Sequence, residues 1–136
     1  MPNRWLFKTE PSAYSFQQLQ KDKKTVWDGV KNNLALKHLA GIQKGDEIII
    51  YHTGDEKAAV GIARALSATY PDPSKKEPKL LVVEIEPVKT LSRPLTLAEM
   101  KANAKLKNFD LVRLARLSVM PVSDGQWKIM EGMVRR

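Results

Sequence analysis

Glu47-Ile48-Ile49-Ile50-Tyr51, followed shortly by Ala58-Ala59-Val60-Gly61-Ile62-Ala63 and on to Tyr70, is the stretch that decides the fold. The first run is β-branched and apolar, which suits a buried strand, with Lys44-Gly45-Asp46 as the turn before it and His52-Thr53-Gly54 ending it. Ala58 to Tyr70 reads as a long bent strand, because a glycine inside a strand marks a bulge or the close approach of another backbone. A strand that bends strongly implies a curved sheet, and so a barrel.

Working outward, Arg4 to Lys8 reads as a short aromatic and apolar strand, ended by Thr9-Glu10-Pro11-Ser12. Pro11 lacks an amide donor and biases Glu10 away from helix. Ser15 opens a short helix over 16–20, in which Phe16 and Leu19 share a face. Thr25-Val26-Trp27 is β-prone, and Asn32 or Asn33 can cap a helix through about Ala40, with Leu36, Leu39 and Ala40 inward and Gly41 past its end. That helix's free amides and positive dipole end are expected beside Trp27 and Asp28. Pro71 to Pro78 is a proline-rich charged connection, and 80–88 is the next strand, giving a long hairpin. Thr96-Leu97-Ala98-Glu99 matches a capping box, 111–114 is a second helical piece, 118–122 a last strand, and Ser123 can cap a terminal helix around Trp127 and Met130. Five or six strands with short helices and no sustained βαβ alternation predict an α+β fold, a small mixed β-barrel decorated with short helices.

The chain has 136 residues, enough for one domain with its own core, and residues 1–136 show no repeat and no shift in composition. There is no cysteine, which excludes disulfides, thiolate metal sites and cysteine nucleophiles. Two histidines, His38 and His52, give no metal-ligand cluster, and no cofactor is expected. No apolar run approaches a signal or membrane-spanning length, so a cytoplasmic protein, free or nucleoid-associated, with no membrane partner is expected. Lys and Arg number 23 against 15 acids, a formal charge of +8 that favours polyanionic partners through counterion release.

Val26-Trp27-Asp28-Gly29-Val30-Lys31-Asn32 carries the chemistry. A tryptophan offers a flat face to a planar ligand, while Asp and Asn offer acceptors and donors to the edge of a heterocycle. The plainer reading makes Trp27 a core residue at a strand end, Asp28-Gly29 a turn and Asn32 a helix cap.

That loop does not stand alone. Trp5-Leu6-Phe7-Lys8-Thr9-Glu10-Pro11, the Val26–Asn32 loop, Tyr51-His52-Thr53-Gly54, Val60-Gly61-Ile62-Ala63, Tyr70-Pro71-Asp72-Pro73 and Arg116-Leu117-Ser118-Val119 occur in the order and at the spacing of EVE domains. From about residue 4 to about 130 the chain resembles that family, a branch of the PUA-like superfamily of small β-barrels related to YTH domains and including the thymocyte nuclear protein 1 group. The resemblance implies a binding module, not a catalyst, that takes a modified base of nucleic acid, with modified cytosine in DNA foremost, into a pocket. It places Trp27, Asp28, Gly29, Asn32 and Asn33 in the recognition loop and Tyr51, His52 and Thr53 on the opposite wall. Lys8, against a phosphate, and Ser118, against a base edge, form a second tier with Lys31. Three positions depart from the family pattern: Lys31 stands in place of an arginine, Leu80-Leu81 where tryptophan is frequent, and Leu114-Ala115 in place of a more polar pair. Lys31 brings a point charge without bidentate geometry.

Two other readings compete. PUA-like relatives of the ASCH type include amidohydrolases of acylated nucleosides that use threonine, lysine and glutamate, residue types that Lys8, Thr9, Glu10 and Thr53 supply. Adjacent strand residues point to opposite faces, so Lys8 and Glu10 leave Thr9 outside such a site and Thr53 must serve. YTH kinship points to a reader of modified RNA, which 2′-hydroxyl contacts would distinguish from a DNA reader.

Overall fold

The computed structural model describes residues 3–135. Among them seven strands are found: β1 (Arg4–Thr9), β2 (Thr25–Trp27), β3 (Glu47–His52), β4 (Ala58–Ala65), β5 (Tyr70–Pro71), β6 (Leu81–Thr96) and β7 (Val119–Val122). Six run side by side in the order β2-β6-β4-β3-β1-β7, and the two-residue β5 pairs with β6. β1 and β3 are parallel and every other described pair is antiparallel, so the sheet is mixed. It curls into a half-barrel, as the bent strands predict.

The curvature has identifiable sources. The β3–β4 register shifts after Ile50, and the β4–β6 register shifts between Ala59 and Gly61 and again after Ile62. Gly61 is needed there because a Cβ would run into the ring of Phe16, which packs over the bend. The group approaching closely is thus an aromatic side chain, not a second backbone. Ala58 to Tyr70 is not one continuous strand: β4 ends at Ala65, and Ser67 turns its hydroxyl to accept from the Glu84 amide before β5 rejoins the same edge of β6. β6 runs on to Thr96, well past the expected end at Val88. Polar Lys89, Thr90 and Ser92 and the donorless Pro87 and Pro94 mask a strand that Ala58, Ala59, Gly61 and Ile62 of β4 nevertheless pair.

Five helices decorate the sheet within the described residues: α1 (Phe16–Asp22), α2 (Asn33–Leu39), α3 (Leu97–Ala102), α4 (Asp110–Arg113) and α5 (Asp124–Val134), with a 3-10 turn at Ala104–Leu106. Their starts are written in side chains. Ser15 accepts from the Gln18 amide, Asn32 from Ala35, and Ser123 with Gln126 and Thr96 with Glu99 form complete capping boxes. α2 turns Ala35, Leu36 and Leu39 inward, whereas Ala40, expected inside, is exposed at the helix end. The N-terminus of the sheet is pinned by Asp46, buried and accepting from the Trp5 indole at 2.9 Å and from the Asn3 and Gln43 amides.

Glu99 also accepts two hydrogen bonds from Arg93, whose guanidinium reaches on to the Met133 carbonyl of α5. These donors, Arg93 first and then Thr96, hold the Glu99 carboxyl at about 2 against an ordinary 4.5. A depressed carboxyl stabilises the fold fully above its unfolded value and loses that contribution as pH falls through its folded value. Its side chain is 35% exposed, so solvent weakens the effect. Glu99→Gln is therefore expected to melt earlier than the wild type near neutrality, the gap closing between about pH 4.5 and pH 2 in thermal scans. A gap constant with pH would show that the carboxylate's charge contributes nothing.

Candidate nucleic-acid interface

The parallel register sets the site. Lys8 lies opposite Tyr51 and Thr9 opposite His52. Neighbours across a ladder share a face while successive residues alternate, so Lys8 with Tyr51 and Thr9 with His52 are sent to opposite sides. Thr9 gives its hydroxyl hydrogen to the Tyr14 carbonyl at 2.7 Å, and His52 accepts the Phe16 amide on Nε2 at 3.0 Å. Both belong to the α1 side.

A cleft of about 500 Å³ opens beside the C-terminal ends of β1 and β2, within the range of ~300–1,000 Å³ usual for small-ligand sites. Trp27 and Tyr14 are its aromatic lining. The indole is only 9% exposed, held at 5.2 Å from the Phe7 ring and met edge-on by Tyr14 at 6.2 Å. The plainer reading of Trp27 as a core residue holds, and the ring also presents part of its surface to the cleft. Tyr14 is fixed by a hydrogen bond from its hydroxyl to Asp22, and burial raises its phenol above the ordinary value. Val26, 45% exposed, adds apolar surface, and Asp28 and Gly29 form an exposed rim in which Gly29 adopts φ +79°, a left-handed conformation natural to glycine. Lys8 and Ser118 line the cleft as well.

Lys8 is the cation between two cavities. Its ammonium donates to the Ala115 carbonyl at 2.9 Å and lies 6.0 Å from the centre of the Tyr51 ring, and burial lowers it below the ordinary lysine value. Beyond it a second cleft, about 300 Å³, is lined by Tyr51 and Thr53 with Lys57 and Lys101.

The expected wall opposite Trp27 is thus corrected. Tyr51 and Thr53 line the second cleft instead. His52 lines neither; it is 1% exposed and both ring nitrogens are engaged, Nδ1 with Glu56 at 2.8 Å. Asn32 is also reassigned, since its side chain caps α2 by accepting the Ala35 amide and borders a shallow hollow beside Arg116. Asn33 is the first residue of α2, exposed, and lines neither cleft, and the same is true of exposed Lys31. Leu80 and Leu81 pack on the core, outside the two clefts. Of the residues proposed for an acylated-nucleoside hydrolase, Thr53 lies 3.4 Å from a Glu10 oxygen, whereas Thr9 is committed to the Tyr14 carbonyl.

Tyr14, Thr25 and Val26 were missed from the sequence. Tyr14 follows the Pro11 turn with no periodic pattern around it, and its edge contact with Trp27 is visible only once the chain is folded.

The EVE domain family model matches residues 3–133. This chain belongs to the EVE domain family. Among solved members of this fold, the protein Rpa0253 from Rhodopseudomonas palustris is 37% identical and superposes with a TM-score of 0.89, covering 96% of this chain and 94% of its own. Human thymocyte nuclear protein 1 is 29% identical over 161 residues, spanning 93% of this chain and 72% of the human protein. The crystal structure of human THYN1 in complex with DNA containing 5-methylcytosine superposes with a TM-score of 0.90 at 27% identity, covering 98% of each chain. An ASCH protein from Zymomonas mobilis, 9% identical over 96% of this chain and 95% of its own, has a TM-score of 0.61 and shares the fold alone.

Proposed function

We propose that this EVE domain binds DNA and takes a modified base, a 5-modified cytosine, into the Trp27 cleft. The observation that carries the reading is the joining, in one open cleft, of a rigid aromatic lining (Trp27 backed by Phe7 and edged by Tyr14) with apolar Val26, a polar rim and a cation. The human relative in complex with 5-methylcytosine DNA supports the ligand class. Extruding a base costs a few kcal/mol, offset by aromatic contact and by hydrogen bonds to its Watson–Crick edge. In this reading Asp28 and Ser118, which line the cleft, make such bonds, and Lys8 meets a phosphate.

Magnitudes bound what the cleft can discriminate. Burying one methyl group contributes about 0.8 kcal/mol, which is roughly a fourfold preference. Fluorescence anisotropy at fixed salt, with matched duplexes bearing cytosine, 5-methylcytosine, 5-hydroxymethylcytosine or N6-methyladenine and with their RNA counterparts, is expected to rank one 5-modified cytosine in DNA first by at least that factor. Equal affinity for all of them would refute modified-base recognition, and RNA ranking first would turn the reading to a modified-RNA reader.

A further inference from the structure

Apart from Lys8, the second cleft has a composition that the proposed function does not use. Its floor is apolar, built from Tyr51 of β3, Leu97 of α3 and Leu111 of α4, and its rim carries Lys8, Lys57 and Lys101. None of these three lysines forms an ion pair among the described residues. Of the acids near its lining in sequence, Glu56 is engaged with His52, Glu99 with Arg93 and Asp110 with Arg113, while Glu10 bonds Ser12 and Thr53 of the cleft itself and Asp55 forms no ion pair among the described residues. Lys57 is held at φ +46°, a conformation non-glycine residues seldom adopt, and its carbonyl accepts the Leu97 amide at 2.8 Å, tying the β3–β4 loop to the start of α3. The rim is therefore set in place by the fold.

We infer that this cleft seats the sugar–phosphate backbone of DNA next to the base held in the Trp27 cleft, with the sugar against the apolar floor and phosphate oxygens on the lysines. The inference rests on the DNA-binding reading above. Lys8 lines both clefts, so a strand whose base enters one has its adjoining phosphate at the other. An apolar floor with a cationic rim matches the two chemistries of that backbone, and three ammonium groups without carboxylate partners suit phosphate, which lysine meets as a point charge.

The test is the salt dependence of affinity for a duplex containing 5-methylcytosine, measured for the wild type, for Lys57→Gln/Lys101→Gln, and for Lys44→Gln/Lys128→Gln. The control pair removes the same charge from the other end of the sheet: Lys44 precedes the start of β3, and Lys128 lies on α5 next to Trp127, over which Arg4 at the start of β1 is stacked. All four lysines are exposed, so the folded state tolerates the changes. The logarithmic salt slope is expected to fall by about one for each phosphate that the Lys57/Lys101 variant no longer neutralises, and hardly at all in the control. The affinity ratio of modified to unmodified duplex is expected to stay at the wild-type value. Identical slopes for the two double variants would overturn the backbone cleft. Failure of the modified-base reading shows differently, as a wild-type protein indifferent to modification, and leaves the slope difference intact.

Discussion

Trp27→Ala is expected to lose base affinity and fold stability together. Aromatic truncation at a base-stacking site costs about 1–3 kcal/mol of binding. Because the ring is 9% exposed and wedged between Phe7 and Tyr14, its removal also leaves a cavity, and core Trp→Ala changes cost about 3–5 kcal/mol. Against a total stability of roughly 5–15 kcal/mol, that is enough to leave part of the population unfolded on warming. Trp27→Phe is the companion variant, since it keeps a ring against Phe7 while shrinking the surface offered to the ligand. Chemical denaturation fixes the folded fraction, and affinity is then read where each variant is fully folded. A folded Trp27→Ala protein with wild-type preference among modified duplexes would remove Trp27 from the site.

His52→Ala is expected to separate stability from binding. The imidazole gives the Phe16 amide its acceptor at the start of α1, and a buried amide left unsatisfied costs about 1–3 kcal/mol. The missing packing of a fully buried ring brings the expected destabilisation to about 2–4 kcal/mol. The effect is read as a lower denaturation midpoint with an unchanged slope. Affinity of the folded protein for modified DNA should be unaltered, because the ring lines neither cleft. A loss of affinity exceeding the unfolded fraction would return His52 to the site.

Much of the fold was legible because its determinants are local. Ser15, Asn32, Thr96 with Glu99, and Ser123 mark helix starts by chemistry that needs only neighbouring residues. The β-branched run at Ile48–Ile50 announces a buried strand in the same way. What escaped depends on pairing. The far half of β6 has no apolar alternation and is a strand because β4 supplies its partners, and at the β4 break the Ser67 hydroxyl accepts the Glu84 amide in place of a backbone carbonyl.

The site divides along the same line. Trp27, Asp28, Gly29, Lys8 and Ser118 are brought to one cleft from three separate segments, each already identified by the motif that contains it. The grouping of Tyr51, His52 and Thr53 on one wall failed for a reason present in the sequence, the alternation of faces along a strand. His52 had to turn away from Tyr51, toward Phe16. Asn32 shows the competing pull most simply: an amide next to a helix start can cap the helix or face a ligand, and here capping wins.

The central claim, that the Trp27 cleft receives the modified base, is tested most directly by nitrogen-15 NMR shift mapping with two duplexes differing only in one 5-methyl group. Both duplexes shift backbone-contact residues alike, so subtracting one set from the other isolates what the methyl group touches. The differences are expected to concentrate on the Trp27 indole and on the amides of Val26, Gly29 and Ser118. Differences centred elsewhere, or none at all between duplexes that both bind, would contradict the account.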